Sequence, residues 1–513
     1  MAAPMPDWGT LPRMLRDQAE RHPGAVVVAE GGTRVTLAGL RTAAAEIARG
    51  LIALDVAPGD RVAMWGLNSA HWVLHAFGIW DAGAVIVPLS SRFKGIEAAQ
   101  LIEKTGAKVL ITGAGPSASP LAGLLPPVPC LRHTVPQESS LRDLGANVPA
   151  RDAEERALDV RPDDLCEIMS TSGTTGAPKG VMLDHAQVLR GYWDWSEIVA
   201  LDEHDRYPVI APFSHGFGLN AGLIACVLRR ATMLPIPVFT PDALMELISA
   251  ERVTVLAGPP TLFHRLLDEL DRGSWDVSSL RVAICGAAAV PAALITRLVE
   301  RVGLDRMINA YGLMEGTVVS MTRAGDPIEV IANTTGRAVP GIEVKVVDDD
   351  GKDVAHGERG EILQRGYGVM RGYWDEPDRT AEAVDADGWL HTGDVGVLDE
   401  YGNLAIVDRK KELYIVNGFN VSPAEVESLL LREGSLAQAA VVGVPDPVTG
   451  ETGLAYVVPR PGVSVDPAAL TTWAKDNMSN YKVPKRIVVV DSLPANVNGK
   501  IDKRALRERA IAG

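Results

Sequence analysis

A loop rich in hydroxyl groups and glycines follows the apolar residues Ile168-Met169 and reads Ser170-Thr171-Ser172-Gly173-Thr174-Thr175-Gly176-Ala177-Pro178-Lys179-Gly180. Such a loop can present several N–H and O–H donors to phosphate oxygens, and Lys179 adds a positive charge. It is not a Walker P-loop, in which Ser or Thr follows the lysine, because Gly180 follows Lys179 here. The alternative is a flexible linker, but this segment adjoins a buried strand and ends on Pro-Lys-Gly. We therefore predict a phosphate-binding loop directly after a buried strand.

The chain on the N-terminal side of this loop alternates between amphipathic helices and short apolar strands. Strands separated by helices of this length indicate βαβ units and a parallel sheet. Proline-rich residues 116–136 break the pattern and are predicted to form a surface connection. The predicted helices are Leu11–Arg21, 37–54 and 70–82, and the predicted strands are 60–64, 84–89 and 109–111.

The chain on the C-terminal side changes character twice. The α/β alternation continues with helices at Pro241–Glu251 and 261–270 and strands at 253–257 and 281–285. After Gly336 the pattern is one of short strands at 343–347 and 361–365, with an Asp-Gly turn at 350–351 that is typical of a hairpin. A compact α+β block follows, and we place the boundary between residues 1–408 and 409–513. Its predicted elements are helices at 423–432 and Pro467–Asn477 and strands at 439–444 and 486–490.

Composition excludes several classes of protein. The 513 residues include 50 basic and 65 acidic side chains, a net charge of −15, so broad binding to nucleic acid or to an anionic membrane is not expected. The four cysteines have no zinc-type spacing, and they are too sparse for a secreted disulfide framework. Residues 72–89 are interrupted by Asp81 and Gly83, and the N-terminus has no signal-peptide pattern. We expect a cytoplasmic enzyme with no membrane segment.

Three further motifs stand in a fixed order after the loop: Tyr311-Gly312-Leu313-Met314-Glu315, Gly388-Trp389-Leu390-His391-Thr392-Gly393-Asp394 and Asn498-Gly499-Lys500-Ile501-Asp502-Lys503. With the loop, they resemble the signatures of the adenylate-forming (ANL) superfamily from about Leu11 to Arg509. Within that superfamily the chain looks most like actinobacterial FadD-type acyl-CoA ligases. The resemblance implies an α/β fold in which a large N-terminal domain of αβ-layered sheets carries a β-rich subdomain. A small, mobile α+β C-terminal domain would follow it.

The resemblance also implies an ATP site. Glu315 and Thr171 would hold Mg²⁺, for which carboxylate and hydroxyl oxygens are suitable ligands. Asp394 would accept hydrogen bonds from the ribose hydroxyls, since a carboxylate offers two acceptor oxygens, and Arg409 would meet the ribose or a phosphate. The phosphates would contact Thr171, Ser172, Gly173, Thr174, Thr175, Gly176 and Lys179, and the adenine and its surroundings would contact Gly286, Ala287, Ala288, Tyr311, Gly312 and Met314.

Two residues, His215 and Met314, are expected near the α-phosphate. His215 lies in Pro212-Phe213-Ser214-His215-Gly216-Phe217-Gly218, and on the sequence alone it is more often a packed or capping histidine. The resemblance implies instead that it lines the acyl pocket, where neighbouring glycines would let the backbone approach a ligand. Met314 stands where the family usually has Thr, and a thioether cannot donate a hydrogen bond.

The pair His71 and His75 has helical metal-site spacing but no carboxylate partners, and we interpret it as structural.

The C-terminal block is implied to serve both halves of a two-step reaction. Lys500 would bridge the attacking carboxylate and the α-phosphate as the catalytic lysine, with Glu315 and His215 as the other catalytic residues. Rotation about Lys411 would then bring Gly418 to line the passage for the CoA pantetheine.

The expected activity is therefore ATP-dependent conversion of a small-molecule carboxylic acid into an acyl-adenylate, with pyrophosphate release, followed by thioester formation with CoA. Two alternatives within the class are loading of a carrier-protein thiol and activation of nitrite for diazotisation of an aromatic amine. A non-catalytic nucleotide sensor is the alternative from another class, although it would not need Glu315, Asp394, Arg409 and Lys500 together.

Overall fold

The computed structural model describes residues 4–116, 118–138, 141–171, 178–286, 290, 292–409, 413–460, 462–494 and 501–512. Several predicted site residues lie outside these ranges, namely Ser172, Gly173, Thr174, Thr175, Gly176, Ala287, Ala288, Lys411 and Lys500. For Arg409 only the backbone is described.

The α-helices of the described chain are α1 (Leu11–Arg21), α2 (Leu37–Ala53), α3 (Ala70–Asp81), α4 (Gly95–Thr105), α5 (Leu141–Leu144), α6 (Ala150–Asp159), α7 (His185–Val199), α8 (Ala225–Arg229), α9 (Pro241–Glu251), α10 (Pro260–Arg272), α11 (Ala292–Val302), α12 (Ile328–Asn333), α13 (Pro377–Ala383), α14 (Pro423–Leu431), α15 (Pro467–Asn477) and α16 (Lys503–Ala512). A 3₁₀-helix covers Leu121–Leu124 and a π-helix covers Phe217–Ile224.

A seven-stranded sheet forms the first layer, in the order β18-β8-β7-β4-β3-β5-β6. Its central strands are parallel, and β8 and β18 add antiparallel strands beside β7. The predicted phosphate-binding loop connects β7 to β8 at one end of this sheet. The strands are β3 (Arg61–Trp65), β4 (Val85–Leu89), β5 (Val109–Thr112), β6 (His133–Pro136), β7 (Leu165–Thr171), β8 (Lys179–Asp184) and β18 (Gly372–Tyr373).

A second sheet has the order β11-β12-β13-β14-β15, with the first three strands parallel. A smaller sheet has the order β2-β1-β10-β9. The strands are β1 (Val26–Glu30), β2 (Thr33–Thr36), β9 (Arg206–Val209), β10 (Thr232–Pro235), β11 (Val255–Gly258), β12 (Val282–Gly286), β13 (Arg306–Leu313), β14 (Thr317–Met321) and β15 (Arg337–Ala338).

The remaining strands form two sheets. An antiparallel sheet in the order β16-β17-β19-β20 makes the β-rich part that the sequence predicts after Gly336. The last sheet has the order β22-β21-β24-β23, with β25 paired to β24. Their strands are β16 (Ile342–Val347), β17 (Gly360–Gly366), β19 (Leu390–Leu398), β20 (Leu404–Arg409), β21 (Tyr414–Val416), β22 (Phe419–Val421), β23 (Leu436–Asp446), β24 (Gly450–Pro459) and β25 (Arg486–Val489).

One prediction of local structure is wrong. Residues 116–136 are not only a surface connection, because His133–Pro136 pairs in parallel with Val109–Thr112 as the edge strand β6. Only four residues pair, and the strand ends on a proline, which is tolerated at a sheet edge because one side of the strand has no ladder to support. The strand was missed because its own sequence has no clear alternation.

Candidate active site

A cavity of about 1500 Å³ opens where the ends of strands from two sheets meet the C-terminal α+β block. Thr171 ends β7, Gly286 ends β12, and Tyr311 lies near the end of β13. Residues at the carboxyl ends of parallel strands face a common crevice, which explains why segments distant in sequence converge here. The predicted residues among those that line the cavity are Thr171, Lys179, His215, Gly286, Tyr311, Gly312, Met314, Glu315, Asp394 and Gly418.

One wall of the cavity joins two of the predicted nucleotide residues. The Tyr311 hydroxyl donates a hydrogen bond of 2.7 Å to Asp394 Oδ2. The backbone N–H of Asp394 donates to Thr392 Oγ1, and that hydroxyl donates to the Ile362 carbonyl. These hydrogen bonds hold the part of the strand that carries the Asp394 carboxylate. Arg409 pairs with Asp394 across β19 and β20. The arrangement leaves a fixed carboxylate beside an aromatic ring, which suits a ribose next to a purine.

A second group joins Glu315 and Lys179 through a tyrosine that the sequence did not indicate. The Tyr373 hydroxyl donates to Glu315 Oε1 at 2.9 Å, and Lys179 Nζ lies 4.3 Å from the centre of the Tyr373 ring. Burial and the neighbouring Glu315 carboxylate raise the pKa of the Tyr373 phenol far above its usual value. Tyr373 reaches this place because β18 pairs with β8, a register that only the tertiary structure defines.

Two threonine hydroxyls on the cavity wall are buried without a hydrogen-bond partner in the described part of the chain, at Thr171 and Thr317. Thr317 also has a φ of 56°, which is rare for a β-branched residue and is found where surrounding structure imposes it. Buried hydroxyls without partners are costly unless a ligand or water satisfies them. With the Glu315 carboxylate, Thr171 therefore supplies oxygen ligands of the kind that Mg²⁺ prefers.

Met314 lies against Gly216, where a Cβ atom would come within 2.8 Å of its Sδ atom. Its thioether thus occupies space next to the His215 segment and offers no donor to a phosphate. The close approach that Gly218 and Gly222 permit is to other parts of the protein, since a Cβ atom there would meet the Pro212 carbonyl and the Val209 side chain. Gly216 lines the cavity, and the expectation that the glycines beside His215 bring backbone towards a ligand stays a prediction.

The His215 segment is held in place by Asn68, a residue that sequence reasoning missed. The Asn68 amide donates to the carbonyls of Val209 and Ala211 at 3.0 and 2.9 Å, and its Oδ1 accepts from the Phe213 N–H at 2.8 Å. His215 Nδ1 accepts from the Phe217 N–H at 3.2 Å, so the neutral ring carries its proton on Nε2. The ring is open to the cavity but otherwise surrounded by protein, and this burial lowers its pKa.

A polar group stands in the largely apolar wall beyond His215. Asn220 Nδ2 donates to Glu167 Oε1 at 2.8 Å, and Asn220 Oδ1 is buried with no partner among the described residues. Burial raises the pKa of Glu167 to about 7. Asn220 belongs to the π-helix Phe217–Ile224, a geometry that is frequent at functional sites. Asn220 is also one of the residues that line the cavity.

The C-terminal block closes another side of the cavity. Gly418 has a φ of 83°, and a Cβ atom there would lie 3.8 Å from the Pro259 side chain. Neighbouring residues Asn417, Phe419 and Asn420 line the cavity with it. The glycine predicted to face a pantetheine thus lies at the cavity, whereas Lys500 lies outside the described residues.

Other parts of the described chain form neither a His/Cys/Asp/Glu metal cluster nor a membrane-spanning helix. No group of three or more His, Cys, Asp or Glu side chains in it is arranged to hold a metal ion. His75 Nδ1 lies 2.7 Å from the His71 carbonyl, and burial lowers the pKa of His75 to about 4, as expected of a structural histidine. The described helices include none that is long and apolar enough to cross a membrane.

Comparison with known proteins identifies the family of the chain. A model of the AMP-binding enzyme family matches residues 15–374, and a model of the AMP-binding enzyme C-terminal domain matches residues 425–500. The 3-[(3aS,4S,7aS)-7a-methyl-1,5-dioxo-octahydro-1H-inden-4-yl]propanoyl:CoA ligase of Rhodococcus jostii (strain RHA1) is 42% identical, over 97% of this chain and 98% of that protein. The ligase of the same name from Mycobacterium tuberculosis (strain ATCC 25618 / H37Rv) is 41% identical, over 98% and 99%.

A solved structure is similar over the whole fold. The amide bond synthetase McbA from Marinactinospora thermotolerans superposes with a TM-score of 0.83 at 30% identity, over 98% of this chain and 99% of that one. The carrier-protein and nitrite alternatives gain no support from these relatives. The chain belongs to the AMP-binding enzyme family and is an AMP-forming acid–CoA ligase of the adenylate-forming (ANL) superfamily.

Proposed function

We propose that this ligase activates a carboxylic acid whose ring system carries a polar substituent, and that the acid enters the cavity beside His215 and Asn220. The single observation that carries the proposal is the buried Asn220 side chain, whose Oδ1 has no partner among the described residues, on a cavity lining that also contains Trp195, Phe217 and Leu262. Apolar and aromatic side chains favour a bulky hydrocarbon body, and a buried polar group favours a substrate that can pair with it. The dioxo-indanyl propanoyl name of the two relatives is consistent with such an acid.

In the first step the acid carboxylate attacks the α-phosphorus of ATP, and pyrophosphate leaves. Asp394, with Arg409 on the neighbouring strand, would hold the ribose, and Tyr311 would flank the adenine. Lys179 and the loop that follows Thr171 would contact the phosphates. Lys500 would reduce the repulsion between the two reacting anions, because an ammonium placed between them stabilises the charge that develops in the transition state.

Mg²⁺ fits the same part of the site. Glu315 and the buried Thr171 hydroxyl would hold the ion, which when bound would offset charge on the phosphates. The Tyr373 hydroxyl would orient the Glu315 carboxylate through its hydrogen bond.

In the second step the CoA thiol attacks the acyl carbon of the adenylate, and AMP leaves. Gly418 would line the passage for the pantetheine beside Pro259, since a side chain there would narrow the gap between the two. We place the boundary of the mobile domain between residues 408 and 409. The last strand of one sheet, Leu404–Arg409, ends one residue after this boundary, and the next sheet begins at Tyr414, so the change of sheet lies close to it. A reaction that consumes ATP and CoA is also consistent with the cytoplasm.

A panel of three acids tests the substrate proposal: the bicyclic dioxo propanoate, the same skeleton without ring carbonyls, and a straight-chain acid of equal carbon number. Pyrophosphate release and thioester formation are measured for each. We expect kcat/KM to favour the dioxo acid over its deoxygenated analogue by roughly 10-fold to 100-fold. Asn220→Leu should reduce that ratio, whereas Thr261→Val, elsewhere on the cavity lining, should not. Equal or better use of the straight-chain acid would contradict the proposal.

A further inference from the structure

A buried charged cluster joins the C-terminal block to the N-terminal body. Lys482 Nζ donates to Glu97 Oε1 and to Glu425 Oε1, each at 2.7 Å. Ser479 Oγ lies 3.1 and 3.0 Å from the two oxygens of Glu97. All four residues are buried, and the Lys482 side chain is 3% exposed. We call Glu97, Glu425, Ser479 and Lys482 the domain latch.

The latch is fixed on the side of the body by secondary structure. Glu97 lies in the first turn of α4, where its Oε2 accepts from the Lys94 N–H at 2.9 Å. Its carboxylate is therefore oriented before the C-terminal block arrives, which lowers the entropy lost when the contact forms. On the other side Lys482 keeps Glu425 as a partner within its own domain, so separation of the domains would leave Lys482 paired and would expose Glu97.

Aromatic contacts connect the latch to the segment that faces the cavity. The rings of Phe419 and Tyr481 stack with centres 4.7 Å apart, and the Arg92 guanidinium lies 4.6 Å from the centre of the Phe419 ring. Phe419 follows Gly418 directly, and Tyr481 precedes Lys482. Residues 92–97 of the N-terminal body thus contact both the C-terminal residues of the latch and the segment that contains Gly418.

We propose that Glu97, Ser479 and Lys482 are positioning residues that hold the C-terminal domain with Gly418 at the cavity, the arrangement needed for thioester formation. The inference rests on the proposed function of Gly418 and Lys500. A buried lysine between two carboxylates is favourable only while its hydrogen bonds and opposite charges are in place. Any large rotation of the C-terminal domain breaks the hydrogen bonds to Glu97. The latch therefore shifts the equilibrium between the two domain positions towards this one and away from the position in which the adenylate forms.

Glu97→Gln tests the proposal because it keeps the shape of the side chain and removes its charge. The two half-reactions are measured separately in single turnovers: pyrophosphate release from acid and ATP, and thioester formation from supplied acyl-adenylate and CoA. We expect the ratio of the thioester rate to the adenylation rate to fall by about tenfold, a change of about 1.4 kcal/mol between the two poses. Ser479→Ala should lower the same ratio by a smaller factor.

The matched control is Asp446→Asn, which removes the partner of Lys485 within the C-terminal domain and not between domains. It should leave the ratio unchanged. An unchanged ratio in Glu97→Gln, or an equal loss in both half-reactions at a normal Tm, would overturn the latch. A wild-type enzyme that forms adenylate but no CoA thioester would instead overturn the proposed function, so the two failures are distinguishable.

Discussion

Two buried carboxylates in this protein have opposite electrostatic surroundings. Glu167, behind the cavity wall, has the neutral amide of Asn220 as its hydrogen-bond donor, and burial raises its pKa to about 7. Glu97, at the domain contact, meets Lys482. Burial opposes the charge of Lys482, but Glu425 and Glu97 outweigh it and raise the pKa of Lys482 well above its usual value. A lone buried carboxylate tends to become neutral, whereas a paired one keeps its charge and fixes geometry.

The difference suggests that polar groups of the cavity act on chemistry and recognition, while the charges of the latch act on domain position.

Lys500 gives the largest expected effect on the chemical side. Lys500→Ala should slow adenylation by about 100-fold to 1000-fold, as for loss of one preorganised donor, and spare thioester formation from supplied adenylate. Both half-reactions are followed in single turnovers. Lys503→Ala, which breaks an ion pair with Glu427, is the control and should spare both. Near wild-type adenylation by Lys500→Ala would mean that the catalytic lysine is misassigned.

Glu167 makes the stability of the fold depend on pH. Its pKa in the fold, about 7, exceeds the ordinary 4.5. The neutral form therefore stabilises the fold fully below about pH 4.5, and this contribution is lost as the pH rises through about 7. Glu167→Gln does not titrate, so the variant should gain about 3 kcal/mol on wild type between about pH 4.5 and pH 8.

Thermal unfolding at about pH 5 and about pH 8 checks this. From about pH 5 to about pH 8, the Tm of Glu167→Gln should rise relative to the Tm of wild type. The Tm of the exposed variant Glu246→Gln should change in parallel with that of wild type. Parallel curves for Glu167→Gln and wild type would show that Glu167 stays ionised and would remove the contrast between the two regions.

Asp394→Asn probes a cavity carboxylate that is expected to bind rather than to react. Loss of the charged acceptor for the ribose hydroxyls should raise KM for ATP by about 10-fold to 100-fold, with a smaller change in kcat. Initial rates over a range of ATP concentrations give both constants. Asp387→Asn, in an exposed turn before the same strand, should leave them unchanged. A normal KM for ATP would place the ribose elsewhere.

Tyr373→Phe should have the smallest effect. The ring remains for Lys179 to contact, and only the hydrogen bond to Glu315 is lost. We expect the Mg²⁺ concentration that gives half of the maximal rate to rise by about 3-fold to 10-fold. A factor of this size corresponds to the loss of a single hydrogen bond. Titration of Mg²⁺ at saturating ATP measures it. An effect as large as that of Lys500→Ala would show that Tyr373 acts on the reaction directly.

Local signals explain which parts of the fold were predictable. The bounds of α1, α9 and α15 agree with the sequence-based prediction because a capping residue and a proline mark each start: Thr10, Thr240 and Asp466 are the caps. The strand β6 lacked such a signal, because its pairing with β5 and not its own pattern defines it.

Nonlocal pairing explains what was missed at the site. Tyr311, Asp394 and Glu315 could be named because each lies in a contiguous motif. Tyr373 approaches Glu315 across 58 residues, and Lys482 meets Glu97 across 385 residues, so no local pattern marks either pair. Asn220 was hidden in an apolar run, and its proposed role rests on its burial beside Glu167.

Transfer of oxygen from the acid to AMP tests the central claim most directly, namely that the acid is joined first to AMP and then to CoA. The acid is labelled with ¹⁸O in its carboxylate and incubated with enzyme, ATP, Mg²⁺ and CoA, and the products are analysed by mass spectrometry. An acyl-adenylate leaves one carboxylate oxygen on the phosphate of AMP when the thiol displaces it, so AMP should carry one ¹⁸O atom for each thioester formed. Label in inorganic phosphate with ADP as the product, or thioester with unlabelled AMP, would contradict it.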